Sequence, residues 1–334
     1  MRVELDRPEL LIAKFPRNAS CAVTTSWDDN ESRNLKILEI LNSMGLKGTF
    51  YIAPDKPRDI GLTDSELQTL AAANEIGSHT WSHVNLRRCD VNALSTELKD
   101  SKEYIHRITQ SPVLGFAYPW GEHSSIAEKL VRENGYLFAR TVEEGTLKFP
   151  PQNPYAWGVS VQALPRPRLL SRKAHVYLRY VTGDWQELAI KLFNRALQRG
   201  SVWHLFGHAW EIFDRPHLKE DLQRILHKVA GRKDVWYATN GMLFLNEMAR
   251  RSVQISDEQE DDRFVFKIRT RFPLPPDTHA AIPLRLVVPE SWNNNFDMQV
   301  TVPDSGTFEK GGRPPRQMWV DILGEEACIE VRHE

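Results

Sequence analysis

From about residue 20 to residue 250 the chain alternates strand signals with helix signals, and that alternation most limits the folds open to it. Repeated β-then-α units need crossovers between parallel strands, so the sheet is parallel and covered by helices. Cys21-Ala-Val-Thr-Thr-Ser-Trp-Asp-Asp29 reads as the first buried strand. Behind it Leu35, Leu38, Ile40, Leu41 and Met44 form a helical stripe that stops at Gly45. Lys47 to Ala53 is the next strand, and Thr63-Asp-Ser-Glu66 is a capping box that opens a helix. Further strands are expected to end near Ser78, Tyr118, Arg140, His208 and Ala238, and the proline-bearing stretch 145–170 reads as a long irregular connection.

Such a sheet is either closed as a barrel or open and doubly wound. Asp28, Asp29, His79, Tyr118, Arg140 and His208 all fall at or just past the C-terminal ends of separate strands, which is how a barrel's catalytic face is built. Beyond the acidic run 256–262, expected to be a linker, helical stripes vanish. Alternating stretches such as Phe264-Val-Phe-Lys-Ile-Arg269 imply an all-β module, a sandwich, over 263–334. The expected domains are therefore 1–255 and 263–334. Glycan binding, dimerisation and covering one end of the barrel are all open to the second, whose aromatic residues are spaced as core as readily as a sugar platform, core being the expectation.

The 334 residues are 41% hydrophobic and 26% charged with a net charge of -1, so neither nucleic acid nor an anionic membrane is called for as a partner. Cys21, Cys89 and Cys328 lie far apart and make no disulfide framework. No segment has the pattern of a secretion signal or the length of a membrane span, and a cytoplasmic enzyme is expected, a homodimer being compatible with it.

Asp28 and Asp29 are adjacent carboxylates at a strand end, where mutual repulsion calls for a cation or a shared proton. Fifty residues on, Ser78-His-Thr-Trp-Ser-His83 supplies two imidazoles four residues apart. One carboxylate and two imidazoles make a three-ligand metal site with room for water, and the spare Asp28 stands where a general base is wanted. Thr80 occupies the Glu position of a His-Glu-x-x-His zinc protease and excludes that class. Phe116-Ala-Tyr-Pro-Trp-Gly121 ends a strand in a turn whose N–H groups can face an oxyanion. His208 can protonate a leaving group, whereas His204 fits a structural role better.

Ser26-Trp-Asp-Asp29, Ser78 to His83, Phe116 to Gly121 and Phe206-Gly-His208 together resemble, in order and spacing, the polysaccharide deacetylase (NodB-homology) family, also called carbohydrate esterase family 4. The resemblance covers about residues 15–250. It implies a distorted (β/α)7 barrel in which Asp29, His79 and His83 bind one divalent metal, Zn2+ by preference with Co2+ or others accepted. It also implies Asp28 as base, His208 as acid and the Trp120 N–H on the oxyanion. Tyr118, Pro119, Trp120 and Gly121 would form one wall of the groove, and Asp184-Trp185 resembles the pair that supports the acid histidine. Two positions depart from the pattern. Ala117 replaces an Arg that buttresses the base, for which Arg140 is the candidate stand-in, and His208 is followed by Ala-Trp-Glu, so Trp210 and Glu211 shape a different pocket.

Three functions follow as expectations. The first is removal of N-acetyl groups from an amino sugar or glycan precursor. The second is hydrolysis of a small amide such as an acetyl-polyamine or a cyclic imide. The third is carbohydrate binding without catalysis, suggested by ten tryptophans and the β module.

Overall fold

The computed structural model describes residues 7–55, 60–163, 185–260, 263–270, 281–292, 296–302, 307–313, 317–323 and 326–333. They divide into two units, Ser20–Phe244 and Met1–Ala19 with Leu245–Glu334.

In the first unit the parallel strands are β2 (Cys21–Asp28), β3 (Gly48–Ile52), β4 (Glu75–Ser78), β5 (Gly115–Ala117), β6 (Phe138–Arg140), β7 (Val161–Gln162), β8 (Val202–His208) and β9 (Val235–Tyr237). Their order is β6-β5-β4-β3-β2-β8-β7, with β9 sharing an edge of β2 with β3. Strand β2 is flanked on both sides, so all eight of its residues are buried, which is why it reads as a Val- and Thr-rich run. This is the parallel sheet of a distorted (β/α)7 barrel.

Closure comes from the stretch expected to be irregular. Its described part holds a helical turn at Pro154–Ala156, and then Trp157 pairs with Ala139 and Thr141 through hydrogen bonds of 3.0 and 2.8 Å. Four residues later Val161 and Gln162 lie beside Leu205 and Phe206. One short segment thus joins the β6 edge to the β8 edge. Proline spacing hides such a strand because only two residues enter the ladder.

The crossover helices follow the expected stripes. Val91–Thr109 buries Leu94, Leu98, Ile105 and Ile108, and Asp90 caps it by accepting from the Asn92 and Ala93 N–H groups. The Thr63–Glu66 capping box forms with both reciprocal bonds. No helix among the described residues is long and apolar enough to cross a membrane.

The second unit has two antiparallel sheets. One is β1 (Glu9–Ile12), β12 (Ile282–Val287), β15 (Gln317–Leu323) and β14 (Thr307–Arg313); the other is β10 (Val253–Glu260), β11 (Arg263–Thr270), β16 (Glu326–His333) and β13 (Phe296–Thr301). Each buries one face, through Leu284 opposite Val320 in the first and Phe266 opposite Ile329 in the second. Two sequence expectations change here. Glu9–Ile12 is a strand on β12, so the N-terminal segment groups with this unit instead of the barrel. The acidic run, expected to be a linker, is largely strand β10, paired with β11 along its whole length. Its charges suit an edge strand, where exposed acids discourage further pairing, and Glu258 meets Lys267 at 2.7 Å.

Gly77 in β4 is set by the barrel interior: a Cβ there would lie 2.5 Å from the fully buried Tyr51 ring. Gly77→Ala is expected to destabilise the protein by roughly 1–3 kcal/mol, read as a lower midpoint in urea unfolding.

Candidate active site

The reacting ends of β2 and β4 are brought together by parallel pairing through β3, and the chain bends sharply just past each of them. Asp29, Thr80, His83 and Trp120 have φ of 75°, 66°, 56° and 55°, a left-handed conformation that costs about 1–2 kcal/mol for a residue with a Cβ. Such turns persist when neighbours enforce them. Asn34 donates to the Asp29 carbonyl at 2.9 Å. Glu97, on the helix after β4, accepts from the Trp81 and Ser82 N–H groups at 2.8 and 2.9 Å and from the Ser82 hydroxyl at 2.6 Å. The loop between the two histidines is therefore tied down from one carboxylate.

One donor atom from each of Asp29, His79 and His83 lies within 4.8 Å of the others. Their surroundings select those atoms. His79 Nδ1 is 2.8 Å from the Ala117 carbonyl, so it carries the proton and Nε2 is left with its lone pair toward the site. Burial lowers the His79 pKa, and although Asp28 and Asp29 oppose this the net direction is down, which keeps the ring neutral as a ligand must be. Trp210 donates its indole N–H to Asp29 Oδ2 at 3.1 Å, while Oδ1 faces His83 Nε2 at 3.3 Å. The donor set fits a divalent cation of the borderline class.

Asp28 is buried beside this group and is ion-paired with the Arg140 guanidinium. Arg140 itself is fully buried, its guanidinium carbon 5.2 Å from the Tyr51 ring centre and 4.3 Å from that of Phe206. Asn240 donates to the Tyr51 hydroxyl at 2.9 Å and holds that ring. His208 lies opposite Asp28 in the β2–β8 register. Its Nδ1 is 2.9 Å from the buried Glu211 carboxylate. Burial pulls the His208 pKa down, but the Glu211 hydrogen bond and the charges of Asp28, Glu211 and Asp29 outweigh it, and the net direction is up. His204, two rows deeper, bonds Ser26 at 2.8 Å, stacks on Trp157 and is driven well below the usual imidazole range by burial and Arg140. It is a neutral structural residue.

Of these, Asp28, Asp29, His79, His83, His208 and Trp210 face one cavity of about 210 Å³. A larger groove of about 820 Å³ lies between the helices Trp185–Arg199 and Pro216–Val229, where it meets none of the paired acids and histidines.

Residues 17–139 match the polysaccharide deacetylase family. The matched stretch takes in strands β2 to β5, and with them Asp28, Asp29, His79 and His83. A Mycobacterium smegmatis protein assigned to the polysaccharide deacetylases shares its fold, with a TM-score of 0.53 and 18% identity over 70% of this chain and 92% of that one. A family 4 carbohydrate esterase from Streptomyces lividans gives 0.46 and 13% over 66% and 93%. A polysaccharide deacetylase from Bacillus cereus gives 0.37 and 24% over 40% and 44%. No curated protein matches the chain.

Within the barrel unit the expected residues divide. Asp28, Asp29, His79, His83, Trp120, His208 and Trp210 line the one cavity. Arg140 lies next to Ala117 in the β5–β6 register, so its guanidinium enters one strand away from the family position. Of the expected wall, Trp120 alone lines the cavity and is 55% exposed. Tyr118 is buried with its hydroxyl on the Tyr155 carbonyl at 3.0 Å, Pro119 is buried, and Gly121 is packed so that a Cβ would meet Val142 at 2.5 Å. Trp185 is buried, and its N–H points to Asp221 at 3.3 Å. Asp184 lies outside the described residues. The partner of His208 among them is Glu211, a role its spacing of three residues could have suggested. Val142, Gln162 and Phe206 complete the lining without any motif to announce them.

Removing one member of a buried ion pair strands the other. Arg140→Met is expected to cost about 3–5 kcal/mol, with Asp28→Asn in the same background recovering part of it, both read by denaturant unfolding.

Proposed function

We propose that the protein is a metal-dependent hydrolase that removes N-acetyl groups from an amino sugar in a glycan or glycan precursor. The reading is carried by one observation: a three-donor cluster, a buried carboxylate and a histidine with its own carboxylate all face a single cavity. The deacetylase match over 17–139 supports the choice of an acetylated carbohydrate.

Asp29, His79 and His83 would hold one divalent cation, Zn2+ by preference with Co2+ as a substitute. Such an ion, when bound, acidifies a water and polarises an acyl oxygen. Arg140 keeps Asp28 oriented, and Asp28 takes the proton of the attacking water. The C–O bond to the acyl carbon forms as the C–N bond breaks, yielding acetate and an amine. The backbone N–H of Trp120 donates to the oxygen that gains charge. His208, whose Nδ1 is tied to Glu211, gives the proton on its other nitrogen to the departing amine. The cavity volume of about 210 Å³ also favours a second reading, a small amide such as an acetyl-polyamine or cyclic imide. A substrate panel separates them, since turnover confined to acetylated sugars dismisses it.

Near one zinc per chain is expected on purified protein, lost in Asp29→Ala and His79→Ala. Asp28→Asn should retain the metal and lose acetate release by about 10²–10⁴-fold; metal-free wild type that zinc does not reconstitute would reject the reading. Because the His208 pKa is raised, the acid stays protonated above the usual imidazole range, and activity falls as pH rises through that raised value. Glu211→Gln removes the group that raises it, so the alkaline limb of the kcat/KM profile moves to lower pH.

A further inference from the structure

The deeper end of the cavity holds a polar group that the hydrolytic steps leave unused. Gln162 ends β7 in register with Phe206 of β8. Register neighbours in a parallel pair point to the same side of the sheet. Phe206 points into the barrel, toward Arg140 and with its ring 5.2 Å from that of His208. Gln162 therefore projects inward too, and it lines the cavity while being only 8% exposed. Its backbone N–H reaches Glu144 at 3.5 Å, and its carboxamide is left to face the cavity. An amide with two donors and an acceptor that faces a cavity is open to a ligand, and a ligand that fills the space without polar groups of its own leaves that amide unpaired.

The register also fixes which part of a substrate would meet it. Asp28 and His208 form the row at the strand ends, and Ser26 with Phe206 forms the row beneath. The amine must face His208, and the acyl oxygen must face the donors at the ends of β2 and β4. A glycan body cannot fit within about 210 Å³, so it leaves by the mouth. The acyl substituent is what remains to point at Gln162.

We propose that Gln162 is an acyl-specificity residue, and that the preferred acyl group carries a hydroxyl on the carbon next to the carbonyl, as in a hydroxyacetyl amide. The proposal rests on the hydrolase reading and refines it: acetyl amides are accepted, and hydroxyacetyl amides are better. A hydroxyl both donates and accepts, which matches a neutral carboxamide, whereas a hydrocarbon of equal size leaves the amide unpaired.

The test compares N-hydroxyacetyl with N-propionyl glucosamine oligomers on the zinc-loaded protein, two acyl groups of nearly equal size. Wild type should favour hydroxyacetyl by about tenfold in kcat/KM, and Gln162→Leu should abolish or invert that ratio while leaving the pH profile in place. No preference in wild type, or an equal ratio in the variant, overturns the proposal. Binding of the free acids, glycolate against propionate, followed by tryptophan fluorescence, reads the same contact without turnover. There the glycolate preference must fall about tenfold in Gln162→Leu, which removes any contribution from chelation alone. If no amide is cleaved the hydrolase reading falls, and the acid-binding ratio by itself decides the role of Gln162. Gln162→Met, closer in shape, replaces the Leu variant if that one melts early.

Discussion

The buried pair between Asp28 and Arg140 is the interaction on which the rest of the site depends. Two full charges within a barrel core are tolerable only when each neutralises the other and the surroundings fix their geometry. Here the surroundings are aromatic. Tyr51 and Phe206 lie against the guanidinium, and Asn240 holds the Tyr51 hydroxyl. Gly77 is bare because Tyr51 fills the space where its side chain would be. A glycine in β4, an asparagine following β9 and a phenylalanine in β8 thus all serve the orientation of one carboxylate.

The donor cluster is built differently. Its three residues sit on or next to left-handed turns that the chain would avoid if it were free, and Glu97, Asn34 and Trp210 hold those turns and their side chains. The barrel supplies coarse placement through strand register, and hydrogen bonds from helices and loops supply the fine placement. The same division appears at His208, which register puts beside Asp28 and which Glu211 then orients.

Much of this was legible in the residues. Strand ends at Asp28, His79, Arg140 and His208 follow from period-two and helical patterning, because buried strands and amphipathic helices impose those periods directly. The Asp-Asp and His-x-x-x-His pair pointed to a metal because few other arrangements justify that concentration of ligating groups. Arg140 could be nominated because it ends the strand after Ala117, which is its neighbour in register. The burial of Tyr118 and Trp185 could not be read in advance, because an aromatic residue near a motif serves packing as readily as binding.

By itself, then, the sequence determined the alternating architecture, the order of the strands' polar ends and the chemistry of the donor set, since each is a local property of composition and spacing. Tertiary structure alone decided that Glu9–Ile12 joins the second unit, that 157–162 closes the barrel, that the acidic run is an edge strand, and that Gln162 faces the cavity. Those outcomes depend on which distant strand offers a free edge or an open side. Pairing and burial of that kind are long-range, and no window along the chain contains them.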